Sequence, residues 1–195
     1  MIVPVLRAFT QQYPKVKITV LTREFFKPFF RDLKNVTVFN ADVKGKHKGV
    51  FGLYKLSKAL KKITASSVTS SAVEKSQIKI DAVADLHNVL RSNILKTFFL
   101  GTTFIQINKG RAEKKALVSG DAFQQLKTTH QRYADVFDTL RFPLDLSNPS
   151  FPKKSTLNSR ARSIIKLNSR KLIGVAPFAA HESKMYPLQL MNEVI

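Results

Sequence analysis

Residues 172–195, LIGVAPFAAHESKMYPLQLMNEVI, decide how the rest of the chain is interpreted. The apolar run 172–176 is typical of a buried parallel strand, and Pro177 ends it because proline has no N–H for a central ladder. After a loop of small and polar residues, Pro187 suits a first helical turn. Apolar residues then follow at helical spacing, namely Leu188, Leu190, Met191 and Val194. The pattern predicts a strand, a loop and a helix.

The loop between this strand and helix predicts a ligand site. It would lie at the carboxyl end of the strand, where open α/β sheets bind ligands. Lys184 is its basic side chain, close to the start of the predicted helix. A cation beside a helix N-terminus suits a phosphate group.

Composition limits the class of protein. The chain has 195 residues, 44% of them hydrophobic, which is typical of a folded domain or a domain plus a fragment. The absence of cysteine excludes disulfides and thiolate metal sites. No His or carboxylate spacing suits a metal, so we expect neither a metal nor a cofactor. No apolar run reaches the roughly 20 residues of a membrane span, and no secretory signal pattern begins the sequence. We therefore expect a cytoplasmic location, with a peripheral position at the inner membrane as the open alternative.

A formal net charge of +20 indicates an anionic partner. Such a charge concentrates nucleic acid, anionic lipid headgroups or phosphorylated glycans. The basic residues are spread along the chain, and no zinc-ligand spacing or RNA-binding aromatic signature accompanies them. A lysine-rich, solvated surface explains the charge equally well.

The rest of the chain alternates between strand and helix patterns. We predict strands at residues 15–22, 36–39, 78–84 and 103–107, and helices at residues 2–13, 23–33, 50–63, 89–100, 129–141 and 157–167. This alternation predicts a parallel sheet with right-handed crossovers. Residues 42–52 are interpreted as a basic, solvated loop, and residues 65–77 as a loop or a frayed helix end.

Some individual residues also carry predictions. Four aromatic residues are expected to pack in the core, namely Phe25, Phe26, Phe29 and Phe30. His87 and His130 are expected to be core residues rather than catalytic ones. Proline-rich residues 142–155 are interpreted as a linker, which divides the chain into residues 1–155 and 156–195.

Several stretches together resemble a known family. They are IGVAP at 173–177 with Ala179, Ala180, Lys184 and Tyr186-Pro187, IDAVADLH at 80–87 with Arg91-Ser92, PVLRAF at 4–9 with Tyr13-Pro14, and the helix with His130, Arg132 and Tyr133. In these stretches the chain resembles glycosyltransferase family 9, the lipopolysaccharide heptosyltransferases.

The resemblance implies a GT-B fold, in which two Rossmann-like domains face each other across a cleft. Residues 1–155 would be an incomplete acceptor-side domain, and residues 156–195 the beginning of the nucleotide-sugar-binding domain. The implied reaction is inverting, metal-independent transfer of a heptose or related sugar. The donor would be a nucleotide-sugar resembling ADP-heptose. The acceptor would be an anionic, phosphorylated lipopolysaccharide core at the inner membrane surface, and no specific nucleic acid is expected.

The resemblance also assigns site residues. The donor-binding residues would be Ala176, Pro177, Ala179 and Lys184, with Lys184 in the catalytic role of offsetting charge on the leaving nucleotide. We expect the acceptor-binding residues from their positions in the predicted elements: Arg91 and Ser92 lie at a helix N-terminus, and Lys109 and Arg111 follow a strand. Each has a structural alternative: an exposed loop lysine, small or stiff loop residues, a helix cap, and a solvated turn.

Members of the family carry their catalytic aspartate in a Gly-Asp-Val loop between the first strand and first helix. The sequence begins after the point where that loop would lie, and Asp81 and Asp85 belong to a different strand. We therefore expect an inactive fragment of a glycosyltransferase that lacks the first strand. The open alternatives are a basic nucleic-acid-binding protein and a remnant without activity.

Overall fold

The computed structural model describes residues 1–66, 80–152, 156–164 and 173–195. The chain divides into two compact units, residues 1–152 and residues 153–195. The first unit contains four strands and five α-helices among its described residues, and the second contains two short α-helices.

The helices and strands follow one another in mixed order. The strands are β1 (Ile18–Thr22), β2 (Val36–Asn40), β3 (Ala82–Asp85) and β4 (Thr103–Gln106). The α-helices are α1 (Ile2–Gln12), α2 (Gly49–Ser66), α3 (Leu90–Thr97), α4 (Arg111–Ser119), α5 (Thr129–Thr139), α6 (Ser159–Ile164) and α7 (Leu188–Val194), with 3-10 turns at Glu24–Phe30 and Glu182–Lys184.

The described strands form two parallel pairs. In the first, β1 pairs with β2, and Ile18 lies opposite Val36. In the second, β3 pairs with β4, and Ala82 lies opposite Thr103. The predicted α/β class, with parallel strands and flanking helices, is confirmed.

One helical layer packs on the strands through α1. Its residues Val5, Leu6 and Phe9 are almost fully buried and form a cluster with Phe30, Leu33 and Phe137. Apolar residues of β1, β2 and β3 pack against this cluster, namely Ile18, Val20, Val36, Val38 and Ala84. Burial of each large apolar side chain contributes roughly 1.5–3 kcal/mol.

The second helical layer packs through α2 and α3. Leu53, Leu56 and Leu60 of α2 form a buried cluster with Leu95 and Phe99. Residues of three strands pack against it, namely Phe39, Val83 and Phe104. Because successive strand residues point to opposite faces, the neighbours Val38 and Phe39 contact opposite layers, as do Val83 and Ala84.

The strands contribute less to the core than the helices do. The four described strands contain no fully buried apolar side chain; Asp85 is their one buried residue. Strands of a covered parallel sheet are normally buried on both faces. Among the described residues β1 pairs only with β2 and β3 only with β4, so each pair keeps open edges.

The predicted helix at residues 23–33 is a shorter 3-10 turn, Glu24–Phe30. Pro28 lies inside it and cannot donate to an α-helical ladder. Residues three apart share one side of such a turn, and here Phe30 and Leu33 face the core. Packing was therefore wrongly predicted for Phe25 and Phe29, which are 78% and 62% exposed.

Two other predictions about secondary structure were wrong. Residues 111–119, for which no helix was predicted, form α4. The strand predicted at 172–176 is absent from its described part, residues 173–176. A strand needs a partner for its backbone groups, and the described residues of the second unit contain no strand.

Some predicted boundaries fall partly outside the described residues. This applies to Leu172, to residues 78–79 of the third predicted strand, to residues 165–167 of the sixth predicted helix and to most of the loop at 65–77. The two histidines expected in the core, His87 and His130, are exposed. His87 lies in the loop after β3, and His130 lies on the solvent side of the first turn of α5. The buried histidine is His47, which is 4% exposed.

Candidate anion-binding site

The candidate site lies at the carboxyl ends of β3 and β4. The two strands are parallel, and their last residues, Asp85 and Gln106, lie opposite each other. The chain leaves both strands at this edge, so the two following loops meet here. Open parallel sheets commonly bind ligands at such an edge.

Asp85 organises the loop after β3. Its Oδ1 accepts hydrogen bonds from the backbone N–H groups of His87 at 3.0 Å and Asn88 at 2.9 Å. Its Oδ2 accepts a hydrogen bond from Gln106 Nε2 at 2.9 Å. One carboxylate therefore fixes the start of one loop and the end of the neighbouring strand.

These hydrogen bonds also determine the charge of Asp85. Burial by itself raises the pKa of this carboxyl, but donation from Gln106 and from the backbone N–H groups of Asn88 and His87 lowers it more. The net result is a pKa below the ordinary value of 3.8. Asp85 is thus ionised at neutral pH and is a weak proton acceptor, which suits a structural role.

The two loops are tied together by Asn88. Its backbone has φ 43°, in the left-handed region that asparagine tolerates better than most residues. Its Nδ2 donates to the Ile107 carbonyl at 3.0 Å, and its own carbonyl accepts a hydrogen bond from Lys109 Nζ at 3.0 Å. The loop after β3 therefore holds the Lys109 side chain at the edge of the sheet.

An open depression of about 430 Å³ lies between these loops. We call it the strand-end depression. Its lining consists of Asn88, Gln106, Ile107, Asn108, Lys109, Arg111 and Ala112. Amide groups and two cations predominate in this lining, and no carboxylate belongs to it among the described residues.

Two of the four predicted acceptor residues, Lys109 and Arg111, line the strand-end depression. Arg111 is the first residue of α4 and is exposed, and it forms no hydrogen bond or ion pair with any residue that the structure describes. The N-terminal end of a helix carries partial positive charge from its unpaired N–H groups. Arg111 and the start of α4 therefore place positive charge at the same edge.

The other two predicted acceptor residues lie on α3. Ser92 Oγ accepts a hydrogen bond from the Val89 N–H at 2.9 Å, which is the capping role that the alternative interpretation gave it. Arg91 is exposed beside it and forms no ion pair with the described part of the chain. Neither residue lines the strand-end depression.

A buried arginine supports the loop that carries Lys109 and Arg111. Arg132 of α5 is 6% exposed, and its Nη2 lies 2.5 Å from Glu113 Oε2. Its Nη1 donates to the Asn108 carbonyl at 3.4 Å. The Arg132 hydrogen bond lowers the pKa of Glu113, which keeps this carboxylate ionised and paired.

Gly110 makes this arrangement possible. It has φ 62°, and a Cβ added to it would overlap the Arg132 guanidinium, with Nη2 2.3 Å away. The backbone of the loop therefore lies directly against Arg132. The sequence resemblance included Arg132, but its positioning role could not be predicted because Glu113 is 19 residues away along the chain.

The predicted donor-binding residues belong to the second unit. Ala176, Ala179 and Lys184 are exposed there, and Pro177 is half-buried. Lys184 is the last residue of the 3-10 turn Glu182–Lys184. Their assignment to a donor site stays a prediction.

The described residues contain no cluster of three or more His, Cys, Asp or Glu side chains that could hold a metal ion. No described helix is both long and apolar enough to cross a membrane.

Comparisons with protein-family models, with curated proteins and with solved structures find no match to this chain. The residues of the strand-end depression and the sequence resemblance described above are therefore the observations that bear on function.

Proposed function

We propose that the first unit binds a phosphorylated sugar in the strand-end depression, as the acceptor-side domain of a glycosyltransferase. The observation that carries this proposal is the convergence of Lys109 and Arg111 on one depression lined by amide groups. Cationic side chains form strong, short hydrogen bonds to phosphate oxygens, and Arg binds them in a bidentate way. Amide groups can donate to and accept from sugar hydroxyls.

The arrangement of charge favours an anionic ligand. Asp85 is a buried anion, but three neutral donors hydrogen-bond to it, whereas Lys109 and Arg111 place two positive charges in the lining of the depression itself. Its lowered pKa also makes it unsuitable as the base that deprotonates an acceptor hydroxyl. The site is therefore proposed as a binding site, without a catalytic base among its lining residues.

The wider assignment is supported by the resemblance to family 9. It comprises a Rossmann-like, GT-B architecture, a nucleotide-sugar donor resembling ADP-heptose and a phosphorylated core glycolipid acceptor. Lys184 would contact the donor phosphate in this scheme. Mixed α/β structure with parallel strands is compatible with it.

A titration with a sugar phosphate tests the proposal. We expect the Lys109→Ala/Arg111→Ala double variant to bind a hexose phosphate about tenfold to a hundredfold more weakly, because hydrogen bonds to charged groups contribute roughly 1.5–3 kcal/mol. Lys114→Ala/Lys115→Ala removes the same charge from exposed positions of α4 and is the matched control. Its affinity should change less than about twofold, because surface charges at a distance are screened.

Two results would contradict the proposal. One is an equal loss of affinity in both double variants, which would indicate attraction by net charge alone. The other is competition by a neutral hexose as strong as that by the phosphate. Tight binding of DNA and RNA, with a steep fall in affinity as salt increases, would instead favour the nucleic-acid-binding alternative.

A further inference from the structure

A second basic surface on the first unit consists of residues other than those of the strand-end depression. Residues 43–62 contain no Asp or Glu, and their lysines are Lys44, Lys46, Lys48, Lys55, Lys58, Lys61 and Lys62. They belong to a turn at residues 42–48 and to the helix α2 that follows it.

Large apolar side chains are exposed among these lysines. At the start of α2, Phe51 is 85% exposed, Val50 is 54% exposed and Tyr54 is 43% exposed. The opposite side of α2 is buried through Leu53, Leu56 and Leu60. Because residues three and four apart share one side of a helix, Phe51, Tyr54, Lys55 and Lys58 lie together on the outer side. We call this outer side and the preceding turn the lysine–aromatic surface.

The turn is held firmly against the helix. The Asp42 carboxylate accepts hydrogen bonds from the backbone N–H groups of Gly45 at 2.9 Å and Lys46 at 3.1 Å. Nδ1 of the buried His47 accepts a hydrogen bond from the Asp42 N–H at 3.1 Å. A Cβ added to Gly52 would lie 2.4 Å from the His47 carbonyl carbon, so helix and turn are in close contact. The exposed lysines of the turn are therefore presented on an ordered backbone.

We propose that the lysine–aromatic surface binds the surface of an anionic lipid bilayer. Phe51 and Val50 would enter the interfacial region, and the lysines of the turn and of α2 would lie at the headgroups. Lysine-rich helices with exposed Phe bind membrane interfaces by this combination of apolar burial and attraction to anionic lipid. The exposed apolar pair favours this partner over a nucleic acid, because a lipid interface buries apolar side chains, whereas a phosphate backbone attracts mainly the lysines.

This proposal does not depend on the proposed function. The lysine–aromatic surface and the strand-end depression share no residue. Lys109→Ala/Arg111→Ala should therefore leave vesicle binding unchanged within about twofold, because neither residue belongs to the lysine–aromatic surface and charges outside the contact are screened by salt.

Tryptophan fluorescence gives a direct test, because the chain contains no tryptophan. Phe51→Trp and Phe123→Trp each introduce one indole at a highly exposed position, since these phenylalanines are 85% and 99% exposed. With vesicles of phosphatidylcholine and phosphatidylglycerol, the emission of Phe51→Trp should shift to the blue and be quenched by brominated lipid. Phe123→Trp should show neither change, and vesicles of phosphatidylcholine alone should affect neither variant.

Charge variants supply the second measurement. Lys44→Gln/Lys48→Gln/Lys55→Gln should weaken partitioning into anionic vesicles by about fivefold per lysine, about a hundredfold in all. The matched control Lys17→Gln/Lys34→Gln/Lys115→Gln removes three exposed lysines that do not belong to the lysine–aromatic surface, and it should cost less than about fivefold.

Three results would overturn the proposal. They are unchanged Phe51→Trp emission with anionic vesicles, equal shifts for Phe51→Trp and Phe123→Trp, and equal losses in the two triple variants. Stronger binding of Phe51→Trp to single-stranded RNA than to anionic vesicles, with the same blue shift, would assign the surface to nucleic acid instead.

Discussion

Arg132 Nη2 lies 2.5 Å from Glu113 Oε2, and the same guanidinium lies against the backbone of Gly110. This contact joins α5 to the first turn of α4. It also fixes the loop between β4 and α4, residues 107–110. Lys109 and Arg111 flank Gly110, so their position depends on an ion pair between the buried Arg132 and the partly exposed Glu113.

Gly110→Ala should be more destabilising than Gly120→Ala. Both glycines have positive φ, 62° and 84°, so both substitutions carry the left-handed strain of about 1–2 kcal/mol. A Cβ at Gly120 meets nothing within 4 Å, whereas a Cβ at Gly110 overlaps Arg132. Overpacking should add about 1–3 kcal/mol at Gly110. Urea unfolding measures the difference, and equal losses would show that the Gly110–Arg132 contact is unimportant.

Asp85→Asn should remove a pH-dependent part of the stability. The pKa of Asp85 is lowered in the folded chain, so its contribution is fully present above the unfolded value near 3.8 and is lost as pH falls through the lower folded value. At about pH 7 the free energy of unfolding should therefore be lower for Asp85→Asn than for the unsubstituted chain. At about pH 2.5 this difference should be smaller.

Gln106→Met tests the environment of the same carboxylate through a second quantity, the pKa of Asp85. It removes the Nε2 donor that lies 2.9 Å from Asp85 Oδ2, so the pKa of Asp85 should rise. Carbon-detected NMR of the carboxyl group measures this pKa directly. An unchanged or lower value would contradict the role assigned to Gln106.

His47 should make the chain less stable in mild acid. Burial, and then the nearby charge of Lys46, lower the pKa of His47 below 6.5, although Asp42 opposes this. Protons therefore bind the unfolded chain first, and stability is lost as pH falls below about 6.5 until the folded value is reached. Urea midpoints at about pH 7.5 and about pH 5.5 measure the loss.

His47→Asn tests the origin of that pH dependence. Its Oδ1 can replace Nδ1 as the acceptor for the Asp42 N–H, but it cannot titrate. The variant should lose the decrease in stability between the two pH values, whereas His130→Asn, at an exposed position, should keep it. A decrease that persists unchanged in His47→Asn would assign it to another group.

We also expect the 195-residue chain to be only marginally stable and poorly soluble. Its described strands bury no apolar side chain fully, and the open edges of β1 and β3 can pair with other chains. Denaturation should give a free energy of unfolding near or below about 5 kcal/mol, the lower end of the usual range. A soluble monomer with a value above about 10 kcal/mol would contradict this expectation.

Periodicity predicted the elements that pack by large apolar residues. The helices α1 and α5 were predicted because apolar residues such as Val5, Phe9 and Phe137 recur at helical spacing. The strands β1 and β2 were predicted because β-branched residues alternate along them, as Val36 and Val38 do in β2. Helix α4 was missed because its sequence, RAEKKALVS, buries no residue and begins after the left-handed Gly110. No stripe of apolar residues along this sequence therefore predicted a helix.

The candidate site was only partly predictable. Lys109 and Arg111 were found because basic residues followed a predicted strand, and parallel strands bring such ends together. Asp85 and Arg132 acquire their roles from partners 21 and 19 residues away, Gln106 and Glu113. Such pairings depend on tertiary packing, so local sequence patterns do not reveal them.

The central claim, a phosphate-binding site in the strand-end depression, is tested most directly by amide NMR during titration with a hexose phosphate. We expect shifts concentrated at residues 86–88 and 106–112, and no such shifts with the neutral hexose. Shifts confined to the lysines of residues 43–62, or shifts of equal size with the neutral sugar, would contradict it.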